Sequence, residues 1–212
     1  MDIIINIFKN GIEFLYGFTG DIGIAIVLLT LVVKLILLPF SIKQRIAMKK
    51  QLVVNKKIEI IKDKYKNNKK KQEVELNKIY RENSKGLVGC LIPFLQLPVI
   101  SGLYMSINRL KVETITMLIP WVANIGSIDN KFVVPLIYTL ITVAPSIMSY
   151  LRIFGNNETP VTIKSILPMI IFGILVTVKA PVGIGIYFIT SGLFNLIEDV
   201  GFRIYSKNKA FA

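Results

Sequence analysis

From Ile22 to Phe40 the chain runs nineteen residues with one charge, Lys34. A helix of that length covers nearly all of the roughly 30 Å of bilayer hydrocarbon. Helix is also the form such a segment must take in lipid, where backbone groups find no water to bond. A cation at that depth costs about 2.5–3.5 kcal/mol on insertion scales. Lys34 therefore needs a partner, water or a route to the interface. Thr30 lies one helical turn earlier and shares its face.

Further apolar runs follow, and 53% of the 212 residues are hydrophobic. The expected fold is all-α: a polytopic membrane protein with transmembrane helices over 22–40, 86–108, 132–151, 165–178 and 182–200. The second span holds Pro93 and Pro98, whose freed carbonyls must find new partners. The fourth has fourteen uncharged residues, roughly 21 Å of helix, and fits a locally thinned bilayer with Lys164 and Lys179 reaching outward. Within residues 1–20, Ile4, Phe8, Ile12, Leu15 and Phe18 recur at helical spacing with no cleavage-site pattern. That segment is expected to lie in the interface as an amphipathic helix.

Residues 41–85 contain neither Pro nor Gly and carry fifteen Lys/Arg against five acids, a net of +10 out of +13 for the chain. Val54, Ile58, Ile61 and Tyr65 form a helical stripe, Asn67-Asn68 interrupts it, and Val74, Leu76, Ile79 and Tyr80 resume it. The segment reads as a basic antiparallel helical hairpin. Its charge places it in the cytoplasm, which puts the N-terminus outside, 109–131 outside, 152–164 inside and the tail inside. Trp121 in the outer loop suits the far interface. Residues 21–206 then make up the five-helix core and 207–212 a short basic tail. The hairpin charges, among them Lys69, Lys70 and Lys71, serve as an orientation signal or dock anionic lipid, ribosomal RNA or an acidic partner. They flank apolar spans, so DNA is not an expected partner.

Enzymatic chemistry has little to stand on. Histidine is absent and Cys90 is the one cysteine, which excludes internal disulfides, His or multi-Cys metal sites and Ser–His or Cys–His pairs. Neither G-x-x-x-x-G-K-[ST] nor G-x-G-x-x-G occurs. No cofactor and no metal is expected. Lys34 retains two readings, since the uncharged stretches contain no acid and Glu198 and Asp199 lie at the end of the last span. It snorkels along roughly 9 Å of helix toward Phe40, or it faces a water-filled pocket open to the cytoplasm.

Several stretches together resemble the YidC family of membrane protein insertases. They are Thr30-Leu-Val-Val-Lys34-Leu-Ile-Leu-Leu-Pro39-Phe40, then Asn83-Ser-Lys-Gly86-Leu-Val-Gly89-Cys90-Leu-Ile-Pro93-Phe-Leu-Gln96-Leu-Pro98, and Pro181-Val-Gly183-Ile-Gly-Ile-Tyr187-Phe188-Ile-Thr-Ser191-Gly-Leu193-Phe194. Trp121 and Pro135 fall where the outer loop and third span would put them. The resemblance implies a bacterial plasma-membrane insertase and chaperone, not an enzyme, whose groove is closed to the outside and open to lipid and cytoplasm. Lys34 matches the groove cation with Thr30 beside it, and Gln96, Ser146, Tyr187, Phe188 and Ser191 match other lining or substrate-contacting positions. Nascent membrane proteins and the lipid bilayer are the implied partners, with the ribosome and the Sec translocon beyond them. Lys34 stands where the family has Arg, which keeps the charge and loses the planar fork. Ser84 replaces a Pro, Gly192 an Asn, Ser146 a frequent Gln, and Phe188 a commoner Trp or Tyr; each polar loss makes the groove drier. The competing class is a small anion transporter or channel with Lys34 as its binding site.

Overall fold

The computed structural model describes residues 2–66, 68–82, 92–109, 115–151 and 163–209. The string 83–91 and residues 152–162 of the expected inner loop 152–164 lie outside the described residues. Among the described residues seven helices follow in order: α1 Asp2–Thr19, α2 Ile22–Lys64, α3 Lys69–Glu82, α4 Ile92–Arg109, α5 Val133–Tyr150, α6 Ile163–Val178 and α7 Val182–Lys209. The all-α expectation holds, and the one β feature among the described residues is an isolated bridge, Ile128 to Pro181. By length and composition α2 and α5 can cross a membrane, whereas Leu97–Ile107 in α4 and Ile166–Val178 in α6 are shorter apolar stretches. Two of the five expected spans are therefore plain on that measure.

The chain divides into two compact units, one of residues 1–36 and 97–212, the other of residues 37–96. In the first, the core draws Ile12 from α1, Ile22, Ala25 and Ile26 from α2, Leu103 and Ile107 from α4, Val134 from α5, and Val182, Ile184 and Ile186 from α7. Ile119, Val122 and Ile125 of the α4–α5 loop complete it. The core thus gathers where α2, α5 and α7 begin and α4 ends, under that loop. Outward faces are apolar too: Leu136 and Leu140 of α5 and Phe172 and Leu175 of α6 are all exposed. An exterior of that kind suits hydrocarbon better than water.

Close helix approach depends on glycine. A Cβ on Gly185 would run into the Val134 side chain, and one on Gly183 would meet Ile107. Gly185→Ala is expected to destabilise the fold by about 1–3 kcal/mol through overpacking. Gly201→Ala, where a Cβ meets nothing within 4 Å, should be neutral or mildly stabilising. Thermal unfolding of the two variants in detergent checks the contrast.

Of the expected α1 stripe, Phe8 and Ile12 are buried and Leu15 half-buried, but Phe18 is 78% exposed. It pairs edge-on with Phe14, ring centroids 5.0 Å apart. The buried face of α1 instead includes Ile5, whose carbonyl accepts the Ser106 hydroxyl of α4 at 3.2 Å.

In the second unit, α2 continues past Pro39 to Lys64. Asn68 accepts the Lys71 N–H on its side-chain oxygen and the Gln72 N–H on its backbone oxygen, capping α3. Gln72 Nε2 donates back to the Lys62 carbonyl at 3.0 Å. Val54, Ile58, Ile61 and Tyr65 are each half-buried between exposed neighbours, and Ile79 is buried.

Candidate functional site

Two aspartates fix the loop end of the first unit. Asp21 Oδ1 accepts the Ile24 N–H at 3.0 Å, so it caps α2, and it also accepts the Thr116 hydroxyl at 2.8 Å. Its Oδ2 accepts the Met117 N–H at 2.6 Å. Asp129 does the same for α5: Oδ2 accepts the Val134 N–H at 2.8 Å, and Oδ1 accepts Trp121 Nε1 at 2.9 Å and the Lys131 N–H at 3.0 Å. Burial opposes ionisation of both carboxylates. The surrounding donors outweigh it and hold each pKa below the ordinary 3.8. At α7 the loop supplies backbone acceptors instead. Val182 N–H donates to the Ser127 carbonyl at 2.8 Å and Gly183 N–H to Ile125 at 2.9 Å.

Below this roof, burial fades in step on two helices. Within the first unit, the last buried residue of α2 is Thr30, and the last of α7 is Ser191. Immediately beyond them Lys34 Nζ donates to Asn195 Oδ1 at 3.0 Å. Both partners sit one turn past the last buried residue of their helix. The amide is therefore held against the ammonium at the edge of the packed core.

The remaining expected site residues fall unevenly around this contact. Thr30 is buried and donates to its own helix at the Ile26 carbonyl, 2.6 Å away. Tyr187, Ser191 and Asn195 follow at four-residue steps on one face of α7. Ser191 is 2% exposed and its hydroxyl has no partner among the described residues. An orphaned buried hydroxyl costs about 1–3 kcal/mol, so a polar group brought to this face would be stabilised. Phe188 is a packing residue, its ring 5.2 Å from Tyr138 and 5.6 Å from Tyr187. Ser146 turns toward α6, where its hydroxyl lies 3.5 Å from Met169 Sδ. Gln96 belongs to α4, and its side chain lies outside the described residues. Lys69, Lys70 and Lys71 open α3 and are exposed.

Sequence reasoning passed over Asn195, although its spacing from Tyr187 and Ser191 was legible. It placed Glu198 and Asp199 at the end of the last span without the contacts made there. There Arg203 Nε donates to Asp199 Oδ2 at 2.6 Å and its Nη1 donates to Ser149 Oγ of α5 at 2.8 Å.

The sequence profile of the 60Kd inner membrane protein family matches residues 14–209. A relative from Caldanaerobacter subterraneus subsp. tengcongensis, a membrane protein insertase YidC, is 27% identical over 92% of each chain. One of the same name from Fusobacterium nucleatum is 27% identical over 94% of this chain and 96% of its own. A Listeria innocua protein, membrane protein insertase YidC 2, is 28% identical over 91% of this chain and 67% of its own. The quoted motifs, the helical fold and these matches agree, and the chain belongs to the 60Kd inner membrane protein family.

Proposed function

We propose that the chain inserts membrane proteins into the bacterial plasma membrane and assists their folding. The observation that carries this reading is the Lys34–Asn195 contact at the edge of the packed core, in a chain whose relatives are named insertases. A cation positioned there attracts the polar or acidic part of an incoming segment, for which a carboxylate is a stronger acceptor than an amide oxygen. The apolar part of the segment stays against the exposed hydrocarbon-like faces. Thr30, Tyr187 and Ser191 line this groove, with Ser146 and Phe188 as further lining positions. No bond is made or broken in the substrate, so the activity is not catalytic in the enzymatic sense.

In this reading α4, α6 and α7 span the bilayer along with α2 and α5. Residues 1–20 lie in the interface, 21–206 form the insertase core, and 207–212 form a basic tail. The basic segment 41–85 is a hairpin on the cytoplasmic side, and the N-terminus is outside. Substrates are nascent membrane proteins, with ribosome and Sec translocon as neighbours. A cysteine at Lys70 is expected to react with membrane-impermeant reagents only from the cytoplasmic side; labelling from outside in intact cells would reverse the orientation.

Lys69, Lys70 and Lys71 are exposed, and their proposed role is electrostatic docking. Changing all three to Gln should weaken ribosome or substrate association severalfold at low salt, and raising the ionic strength should reproduce the loss. Unchanged association at low salt would leave them as an orientation signal alone. Function itself is tested in vesicles containing only the purified protein. They should insert a single-span protein with an acidic translocated tail faster than empty vesicles do, with no accompanying anion flux. Flux without insertion would identify a transporter or channel instead.

A further inference from the structure

Between α2, α5, α7 and the α4–α5 loop lies a groove of about 480 Å³. Val27 and Leu31 line it from α2, Val133 and Ile137 from α5, and Ile189 and Leu193 from α7. Thr190 and Trp121 also reach the lining, and both have their polar atoms engaged. The Thr190 hydroxyl donates to the Ile186 carbonyl at 2.8 Å, and Trp121 Nε1 donates to Asp129. The wall therefore asks nothing of an occupant but apolar surface.

Its dimensions select among apolar occupants. Along α7 the lining extends from Ile186 to Ile197, eleven helical rises or roughly 16 Å. Spread over that length, even the whole empty space of about 1060 Å³ leaves a mean cross-section of about 65 Å². A helix 10–12 Å across needs about 80–110 Å². The groove is narrower than that and admits an extended hydrocarbon chain.

At the loop end of the groove the exposed charges among the described residues are lysines. Lys131 Nζ stands 5.8 Å from the centroid of the Trp121 ring, and Lys179 is exposed at the same end. Asp21 and Asp129 are 5% and 4% exposed, and their carboxylates are turned inward onto N–H and hydroxyl donors. The surface at the mouth is accordingly cationic, and an ammonium above a Trp ring marks the level of lipid headgroups.

We propose that this groove holds one acyl chain of an anionic phospholipid, with the phosphate beside Lys131. α7 then divides two environments. Ile186, Ile189, Leu193 and Ile197 face the lipid chain, and Tyr187, Ser191 and Asn195 occupy another face. The assignment does not depend on insertase activity.

The test uses the full chain in vesicles containing phosphatidylglycerol or phosphatidylcholine probes, each with a photoreactive group midway along one acyl chain. Cross-linked peptides are mapped by mass spectrometry. The phosphatidylglycerol probe should label α7 around Ile189 and Leu193, and the matching faces of α2 and α5, several times more than other lipid-facing surfaces. Leu193→Trp should abolish that excess by filling the groove. Ile197→Trp, at a position already 72% exposed and so tolerant of bulk, should reduce it while unfolding behaviour stays that of the parent. Lys131→Glu should lower labelling by the phosphatidylglycerol probe and leave the phosphatidylcholine probe at its lower level. Even labelling around the helices would overturn the proposal. So would an excess unaffected by both Trp variants, equal labelling by the two headgroups, or displacement of the probe by a second copy of the chain.

Discussion

Asp21→Ala is expected to lower the stability of the folded protein by about 2–4 kcal/mol, a helix cap and two further buried or half-buried donors being lost together. The Ile24 and Met117 N–H groups and the Thr116 hydroxyl all converge on this carboxylate. Alanine leaves them without their acceptor in a region packed too tightly to admit a replacement. Gly23 shows how tight it is, since a Cβ there would collide with Thr116. Asp21→Asn keeps one acceptor oxygen and should cost less than half as much. Asp129→Ala should resemble Asp21→Ala, because it releases Trp121, Lys131 and Val134 at once. Thermal or denaturant unfolding in detergent measures each difference. A loss below about 0.5 kcal/mol in both alanine variants would mean that the loop is not held by these carboxylates, since that is the range of ordinary surface substitutions.

The same groups set an acid limit. Each carboxylate has a folded-state pKa below its ordinary 3.8, so the unfolded chain takes up protons first as pH falls. Their stabilisation is complete above about pH 4 and is lost as pH falls through the lowered folded values. The parent should lose stability on acidification through that window, and the Asp21→Asn, Asp129→Asn double variant should lose less.

These aspartates also show where the sequence stops being readable. Uncharged runs located α5, α6 and the start of α7 to within a few residues, because hydrocarbon permits few alternatives to helix. They bound the apolar spans, and the helices run on past those bounds where charge begins. α2 runs unbroken past Phe40 to Lys64 and α7 runs on to Lys209, since Lys and Glu are good helix formers and a change of solvent does not break a helix. In sequence nothing beside Asp21 and Asp129 distinguishes them from ordinary loop charges. Their capping roles depend on Thr116, Met117 and Trp121, which the fold brings to them. Lys34 was identifiable at once from its cost in lipid, but its partner was not: Asn195 lies 161 residues away. Its place at the end of the Tyr187–Ser191 stripe was visible in the periodicity, and only the hydrogen bond from Lys34 gives that place meaning.

Lys34 should carry the largest functional effect. Lys34→Ala removes a charge-assisted interaction of about 1.5–3 kcal/mol with an acidic segment, about ten- to a hundredfold in insertion rate. Lys34→Glu should be worse, because it repels that segment. Lys34→Arg should be tolerated, since the charge remains and gains a planar fork suited to carboxylate. Asn195→Ala should fall between parent and Lys34→Ala, because the ammonium stays but loses its orienting amide. Substrates without acids in the translocated segment should respond weakly to all four.

The most direct measurement is the insertion rate of an acidic-tailed single-span protein into vesicles carrying either the parent or Lys34→Ala, matched for folded protein. The groove reading predicts a loss of about tenfold or more for Lys34→Ala and near-parental rates for Lys34→Arg. Equal rates for Lys34→Ala and the parent would contradict it and reduce Lys34 to a snorkelling cation with no part in insertion.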